Sequence, residues 1–337
     1  MRPFAFYQQR LDAVSRSFAL CIPQLDPPFR EQVALSYLLL RVLDTVEDAP
    51  FTDKVQQARQ FERLRGFLRA PPAQAEVEAF AAEFPGELTS GERALLDDTF
   101  ALLEDAYTLS PAARAAVFGA VDRMAIGMAT YARRAPELRL VDLEDVTRYC
   151  CFVAGLVGEM LGQLWAVGAE PAPPTALAYH FGVFLQKVNI LKDQQEDEAA
   201  GRFLVPDRRE LIASLRIHAQ GALEYLQALP RGARGYRIFC AWCLMMGAVT
   251  IAHLDEVRQS RRDDTAQLLA RTASIVHDNE ALGRQFAELM PRLPEIAPRA
   301  PLAKPESVAS FRDMLAAPLT DDELRRLGID VWEAAVA

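Results

Sequence analysis

The sequence predicts an all-α fold. Apolar residues recur at helical spacing through long segments, and short breaks rich in proline or glycine separate those segments. Runs that alternate between apolar and polar residues, as β-strands do, do not stand out. A hydrophobic share of 51% in 337 residues can build one large core. We therefore expect one helical domain over residues 1–290, a proline-rich linker over 291–305 and a helical tail over 306–337.

The charge balance and the cysteines narrow the class of protein. The net charge is −9, and without a basic tract the electrostatic footprint of a nucleic-acid-binding protein is missing. The five cysteines form no disulfide-like framework, which fits a reducing compartment. The N-terminus lacks the pattern of a secretory signal, so we expect a cytoplasmic location, with peripheral membrane contact left open.

Two stretches are apolar enough to be weighed as membrane spans. Residues 150–169 carry Glu159 and Gln163 in their middle, where a charge is expensive in lipid. Residues 238–254 contain no Asp, Glu, Lys or Arg, but these 17 residues are at the short limit for crossing a bilayer. We expect both to be buried helices of a soluble core.

One stripe of polar side chains lies in an otherwise apolar segment, residues 184–206. Its members are separated by three, four and four residues: Gln186, Asn189, Asp193 and Asp197. At about 100° per residue, this spacing places all four on one side of a helix. Such a stripe is either a solvated surface or one wall of a charged cavity.

A second stripe, far upstream, favours the cavity. Its members are Tyr37, Arg41, Asp44 and Asp48. Two acidic pairs of the form D-x-x-x-D on two apolar helices are hard to explain as solvated faces. Arg41 has a simple interpretation as the partner of Asp44 in an ion pair within the helix. In a metal site it would also donate hydrogen bonds to phosphate oxygens.

The spacing of each acidic pair suits a divalent cation. Carboxylates four residues apart lie about 6 Å apart along a helix axis, within reach of one cation or of two adjacent ones. Mg²⁺ prefers oxygen ligands and is usually held by a few carboxylates together with the phosphates of a substrate. We therefore predict one Mg²⁺ site in two halves, which holds a diphosphate through Asp44, Asp48, Asp193 and Asp197.

Several blocks, in chain order, resemble those of squalene synthases, within the wider squalene and phytoene synthase family. They are VSRSFAL from Val14, YLLLRVLDTVED from Tyr37, YCCFVAGLVG from Tyr149, FLQKVNILKDQQED from Phe184 and GRFLVP from Gly201. The resemblance implies a single-domain isoprenoid-synthase helical bundle with a central apolar cavity. It also implies a transferase of isoprenoid biosynthesis, a farnesyl-diphosphate farnesyltransferase that serves sterol or hopanoid synthesis.

The resemblance also implies roles for individual residues. Tyr149 matches the family's catalytic tyrosine, and we expect Asp44 and Asp193 to act in catalysis with it. Without the resemblance, Tyr149 would be read as a buried tyrosine with a satisfied hydroxyl. On the resemblance and the two stripes together, we expect these substrate-binding residues: Ser15, Arg16, Phe18, Tyr37, Arg41, Gln186, Asn189, Lys192, Arg202, Val153 and Phe239.

The sequence departs from the squalene synthase pattern in three places. Lys192 stands where arginine is common, and lysine lacks the planar fork that grips a diphosphate. After Phe239, residues 242–244 replace the usual Ile-Pro-Gln, and residues 253–257 stand where a Tyr-Asn-Asn segment is usual. The last region borders the reductive pocket in the family, so the departures concern the reductive step more than the condensation.

The expected reaction is a Mg²⁺-dependent, head-to-head condensation of two farnesyl diphosphates to presqualene diphosphate. Reduction by NADPH to squalene would follow. NADPH rests on the resemblance alone, since no G-x-G-x-x-G fingerprint is present. One alternative is a family member with a non-reduced product, namely presqualene diphosphate, hydroxysqualene, dehydrosqualene or phytoene. Another is a catalytically inactive helical scaffold. The sequence does not determine the oligomeric state.

Overall fold

The computed structural model describes residues 1–135, 137–168, 171, 173–252, 254, 262–290, 311, 313, 315–316 and 319–331. Over these residues the chain is almost entirely helical, so the predicted all-α class is confirmed. The proline-rich linker predicted at residues 291–305 lies outside the described residues. The same holds for residues 253 and 255–257 of the segment that departs from the family pattern.

The first eight helices are α1 (Phe4–Val14), α2 (Phe18–Cys21), α3 (Phe29–Asp48), α4 (Lys54–Arg69), α5 (Gln74–Ala82), α6 (Ser90–Asp97), α7 (Thr99–Tyr107) and α8 (Pro111–Ala132). A 3₁₀ turn follows α2 at Ile22–Gln24. The later helices are α9 (Leu143–Cys150), α10 (Leu156–Val167), α11 (Thr175–Lys192), α12 (Gln194–Ala199), α13 (Arg208–Ala228), α14 (Arg234–Ala252), α15 (Arg262–Ile275), α16 (Asn279–Leu289) and α17 (Asp321–Arg326).

Extended backbone is limited to four strands of two residues each among the described residues. They are β1 (Arg134–Ala135), β2 (Leu138–Arg139), β3 (Arg202–Phe203) and β4 (Asp330–Val331). A π-helical segment, Cys151–Gly155, joins α9 to α10.

The chain divides into two compact units. The first comprises Met1–Ala135, Gln163–Glu170 and Val331–Ala337, and the second comprises Pro136–Gly162 and Pro171–Asp330. The first acidic stripe therefore belongs to the first unit and the second stripe to the second unit. The prediction of one synthase domain over residues 1–290 stays a prediction.

Helix α3 is the central helix of the first unit. It packs against α1, α7 and α8, and most of its residues are buried. The helix ends at Asp48 because Pro50 holds the preceding residue, Ala49, in extended conformation, with φ −61° and ψ 138°. Asp48 is therefore the last helical residue, one turn beyond Asp44.

Helix α11 has the corresponding position in the second unit. It packs against α13, the π-helical segment, α14 and α9. Glycine permits the closest of these contacts: a Cβ atom at Gly182 would collide with the carbonyl of Ala154, and one at Gly158 with the carbonyl of Ala178. The close packing of α10 against α11 therefore requires a residue without a side chain at Gly158.

Two helical stretches have the length and composition of a membrane span, Leu143–Val167 and Arg234–Ala252. Inside the protein, however, 61% and 72% of their apolar windows are buried. Burial of this extent fits core helices of a soluble or peripheral protein. The five cysteines are all buried and none forms a disulfide, which agrees with the absence of a disulfide-like framework in the sequence.

Candidate functional site

Arg41 is the centre of an ion-pair network on the first acidic stripe. Its Nη1 lies 3.3 Å from Asp44 Oδ2 and 4.0 Å from Asp48 Oδ2, and its Nη2 lies 3.1 Å from Glu92 Oε1. The predicted intrahelical pair with Asp44 is therefore confirmed. Burial by itself would lower the pKa of Arg41, but the carboxylates and Tyr37 together raise it. Arg41 thus stays charged beside both aspartates.

One buried donor of Arg41 is left over. Its Nε makes no hydrogen bond to any atom of the part of the chain that the structure describes. A buried donor without a partner costs about 1–3 kcal/mol, and oxyanions such as phosphate are the strongest partners of a guanidinium. This atom fits a diphosphate bound beside Asp44.

The Ser15–Phe18 block packs onto the same stripe through Tyr37. The ring of Phe18 lies 5.0 Å from the ring of Tyr37, and the Ser15 hydroxyl accepts a hydrogen bond from the backbone of Phe18. Burial raises the pKa of Tyr37, against a hydrogen bond from Ser15 that lowers it. Arg16 is exposed. The first unit therefore brings together Ser15, Phe18, Tyr37, Arg41, Asp44 and Asp48.

The second acidic stripe does not lie on one uninterrupted helix, which corrects the sequence prediction. Helix α11 ends at Lys192, and Asp193, with φ −98° and ψ 10°, separates it from α12. Hydrogen bonds of helical type nevertheless run from Asp193 N to Asn189 O (2.8 Å) and from Asp197 N to Asp193 O (2.9 Å). Because these bonds continue across the break, the four-residue spacing is preserved.

The side chains of this stripe are open to solvent to different degrees. Asn189 is exposed, whereas Gln186, Asp193 and Asp197 are half-buried. Lys192 Nζ lies 3.1 Å from Asp193 Oδ2, so the lysine supplies a positive charge beside that carboxylate. Another face of α11 is apolar and buried, and it carries Phe184, Val188 and Leu191.

Arg202 links the acidic pair to the predicted catalytic tyrosine. Its Nε lies 3.5 Å from Asp197 Oδ1, and its Nη2 donates a long hydrogen bond of 3.5 Å to the hydroxyl of Tyr149. Arg202 is fixed by its backbone, because β3 pairs in parallel with β2, with Leu138 opposite Arg202. Arg202 therefore connects Asp197, which is near it in sequence, to Tyr149, which is 53 residues away.

Gly201 makes the turn that delivers Arg202. Its φ of +76° lies in the left-handed region, where a side chain costs about 1–2 kcal/mol. We expect Gly201→Ala to lower the free energy of unfolding by about that amount, as measured by urea denaturation. Gly232→Ala is the matched control, since no atom lies within 4 Å of a Cβ there. Equal effects of the two substitutions would contradict the prediction.

Tyr149 is only 1% exposed and comes directly before the end of α9. The π-helical segment Cys151–Gly155 follows at once, and such widened turns are frequent at functional sites. Val153 lies in this segment and Phe239 lies on α14, and both are buried. The predicted apolar positions are thus core residues of the second unit.

The carboxylates of the two acidic stripes are the candidate ligands of Mg²⁺. Among the described residues, no group of three or more His, Cys, Asp or Glu side chains could hold a metal ion. Each unit does supply two carboxylates four residues apart, with a basic residue alongside. One or two carboxylates completed by substrate phosphates and water is the usual coordination of Mg²⁺ in proteins. The donor set therefore fits Mg²⁺ bound together with a diphosphate.

One member of the site was missed by sequence reasoning. Glu92 Oε1 accepts a hydrogen bond from Arg41. Glu92 Oε2 accepts hydrogen bonds from the backbone N–H and the hydroxyl of Thr89. The sequence TSGE from Thr89 carries the signal of a capping box, which would have placed Glu92 at a helix start. Its contact with Arg41 has no local signal, because the two residues are 51 apart.

Comparison with known proteins gives concordant findings. A family model described as squalene/phytoene synthase matches residues 11–209, more than half of the 337. The squalene synthase of Schizosaccharomyces pombe is 32% identical over 279 residues, which cover 72% of this chain and 58% of that protein. Squalene synthase 10 of Panax ginseng is 30% identical over 309 residues, which cover 83% and 70%. The chain thus spans less than two thirds of the length of the S. pombe protein.

Solved structures show the same fold. The complex of TcSQS with the ligand BPH1237 is similar with a TM-score of 0.72 at 23% identity, over 96% of this chain and 98% of that one. A dehydrosqualene synthase in complex with a ligand is similar with a TM-score of 0.57 at 19% identity, over 81% and 96%. The predicted isoprenoid-synthase fold is therefore confirmed.

Proposed function

The chain belongs to the squalene/phytoene synthase family, and from that premise we propose that it is a farnesyl-diphosphate farnesyltransferase. It joins two farnesyl diphosphates head to head to form presqualene diphosphate and reduces this intermediate to squalene with NADPH. The observation that carries the proposal is the grouping of Tyr149, Arg202 and Asp197 in one unit. The condensation requires a group that transfers a proton, a cation that binds phosphate and a carboxylate that binds the metal, and these three residues are of those types.

The aspartates have the metal-binding role in this proposal. Asp44, Asp48, Asp193 and Asp197 would hold Mg²⁺ together with the substrate's diphosphate. Bound Mg²⁺ supplies stabilisation of the negative charge that develops on the leaving diphosphate. Their partly exposed carboxylates are open to an incoming ligand, which a fully buried pair would not be.

The basic residues bind and orient the diphosphate. Arg41 and Arg202 each stand beside a carboxylate of an acidic pair, where a guanidinium can donate two hydrogen bonds to phosphate oxygens. Lys192 acts as a point charge without that fork. Arg16, at the exposed end of the Ser15–Phe18 block, adds a further cation on the first unit.

Tyr149 is one of two candidates for the base. Loss of a proton from the coupled carbocation closes the cyclopropane ring, and the proton is accepted either by the Tyr149 oxygen in its phenolate form or by the released diphosphate. Arg202, which donates to that oxygen, stabilises negative charge on it. Apolar residues such as Val153 and Phe239 exclude water that would quench the cation. The enzyme works in the cytoplasm, with peripheral membrane contact where its apolar substrate and product partition.

The product decides between the proposal and its nearest alternative. We expect purified protein with Mg²⁺ and farnesyl diphosphate to accumulate presqualene diphosphate, and to yield squalene when NADPH is added. The measurement is product identification by gas chromatography and mass spectrometry, with and without NADPH. Dehydrosqualene or hydroxysqualene as the end product in the presence of NADPH would contradict the reductive step.

The scaffold alternative makes a different prediction for the same sample. An inactive helical protein would release no diphosphate from farnesyl diphosphate at any Mg²⁺ concentration. Release of inorganic diphosphate that requires Mg²⁺ therefore supports the transferase, even before the products are identified.

A further inference from the structure

Lys187 on α11 is a fully buried cation that the proposed mechanism does not use. It is 0% exposed, and its Nζ lies 2.9 Å from Thr147 Oγ1, 3.0 Å from Ser214 Oγ and 3.2 Å from His218 Nε2. None of these hydrogen-bond partners is a carboxylate. Burying a charged ammonium costs several kcal/mol unless its hydrogen bonds are complete. A lysine at this position therefore calls for an explanation beyond packing.

The directions of the hydrogen bonds are determined by the neighbouring groups. Thr147 Oγ1 donates to Leu143 O at 2.8 Å, and Ser214 Oγ donates to Leu211 O at 2.7 Å. Since each hydroxyl proton is committed to a backbone carbonyl, both hydroxyl oxygens accept from Lys187. With His218 as the third acceptor, the partners match the three donors of an ammonium, whereas a neutral amine has only two.

The histidine side of the network has a single proton arrangement. His218 Nε2 accepts from Lys187, so its proton is on Nδ1, which donates to His180 Nδ1 at 3.0 Å. Burial, and then the charge of Lys187, lower the pKa of His218, which keeps the ring neutral. The ring of Phe311 stands edge-on to His180 at 5.3 Å. The network therefore extends from Lys187 through His218 to His180, and Phe311 packs against its histidine end.

The network joins the helices that carry the site of the second unit. Thr147 lies two residues before Tyr149 on α9, Lys187 lies six residues before Asp193 along α11, and Ser214 and His218 lie on α13. Immediately after α9, the π-helical segment changes the backbone hydrogen-bond pattern. The hydrogen bond from Lys187 to Thr147 comes just before that segment in the sequence. It holds α9 against α11 close to the point where the α-helical hydrogen-bond pattern ends.

We infer that Lys187 is a positioning residue for Tyr149: through Thr147 it holds the helix of the catalytic tyrosine in place against the helix that leads to Asp193. The inference rests on the proposed function. It assigns a role to a cation that contacts neither substrate nor metal. It also predicts different roles for two hydrogen-bond partners of Lys187. Thr147 lies on the same helix as Tyr149, whereas Ser214 lies on α13.

The test compares substitutions of Lys187 with substitutions of two of its hydrogen-bond partners, Thr147 and Ser214. We expect Lys187→Met, which keeps the length of the side chain, and Thr147→Val, which keeps its shape, each to lower kcat about 10–100-fold, as a displacement of about 1 Å does. KM for farnesyl diphosphate should change less than about threefold, because diphosphate-binding residues are untouched. Thr147→Ser, which restores the acceptor oxygen, should restore kcat. Ser214→Ala should leave kcat within about threefold of the wild type.

A double substitution adds a second criterion. Since Lys187 is proposed to act through Thr147, the Lys187→Met/Thr147→Val double variant should lose no more kcat than the worse single variant. The inference would be overturned if the kcat losses of the two single variants multiplied in the double variant. It would also be overturned if Thr147→Val and Ser214→Ala lost kcat equally, or if Lys187→Met kept the wild-type kcat. Should Lys187→Met fail to fold, the Thr147→Val, Thr147→Ser and Ser214→Ala set gives the same decision.

The pH profile supplies a readout that a loss of stability alone would not change. Burial lowers the pKa of Lys187 to about 8. The titratable groups facing it are Cys150 and Cys151, at the end of α9 and the start of the π-helical segment, and His218 on α13. Loss of the proton above that pH leaves two donors for three acceptors, so the hydrogen bond to Thr147 is made less often and wild-type kcat should fall on the alkaline side. This decline should be absent from Lys187→Met.

The failure of the inference is distinguishable from failure of the proposed function. A wild-type protein that forms no condensation product contradicts the proposed function. An active wild type whose Lys187→Met variant is equally active contradicts only the role of Lys187.

Discussion

Asp193→Asn is expected to lower kcat for farnesyl diphosphate at least about 100-fold while the protein stays folded. A carboxylate that holds Mg²⁺ contributes several kcal/mol to stabilising the leaving diphosphate, and each 1.4 kcal/mol corresponds to about tenfold in rate. Asparagine keeps the size of the side chain but loses its charge. Asp193 is half-buried and caps no helix through its side chain, so we expect stability to change by less than about 0.5 kcal/mol.

Glu198→Gln is the matched control for this substitution. Glu198 is an exposed acidic residue of α12 that accepts a hydrogen bond from Gln194 and lies off the acidic stripe. It should keep wild-type kcat. Mg²⁺-dependent binding of inorganic diphosphate, measured by calorimetry, should weaken in Asp193→Asn and not in Glu198→Gln. Unchanged binding in both variants would instead support the inactive scaffold.

Tyr149→Phe should lower kcat about 100-fold or more, with KM for farnesyl diphosphate within about threefold of the wild type. A positioned acid or base contributes about 10²–10⁴-fold to rate, and this substitution removes only the hydroxyl oxygen. That oxygen receives a long hydrogen bond from Arg202, whose loss costs about 1 kcal/mol of stability. Steady-state kinetics and thermal unfolding measure the two effects separately.

Tyr225→Phe is the control for the loss of a buried hydroxyl. Tyr225 lies on α13, is buried like Tyr149, and its hydroxyl is hydrogen bonded to that of Tyr236. We expect a similar loss of stability but normal kcat. If Tyr149→Phe retained more than a tenth of wild-type activity, the released diphosphate would be the base, and Tyr149 would only line the site.

Helical periodicity made much of the fold and the local arrangement of the site predictable. Residues three and four apart on a helix are neighbours, so the ion pair of Arg41 with Asp44 could be expected from their spacing alone. The same spacing predicted the second stripe, although the break at Asp193 was missed. Hydrogen bonds of helical type continue through that break, which is why the prediction of the spacing survived it.

Contacts between elements could not be predicted in this way. Nothing near Arg41 in the sequence indicates Glu92, and nothing near Tyr149 indicates Arg202. Such pairs depend on which apolar faces pack together and on turns such as that at Gly201. A parallel pairing of two residues, β2 with β3, has too short a sequence to carry a recognisable pattern.

By itself the sequence determined the helical class of this protein, its two acidic pairs and its family resemblance, because these depend on residue type and on spacing along one element. Only the tertiary structure decided which side chains surround each pair, and that Lys187 is a buried cation with three neutral acceptors. The physical reason is that apolar burial selects helix packing collectively. A lysine among apolar residues of α11 has the same local pattern whether it meets solvent or a closed network.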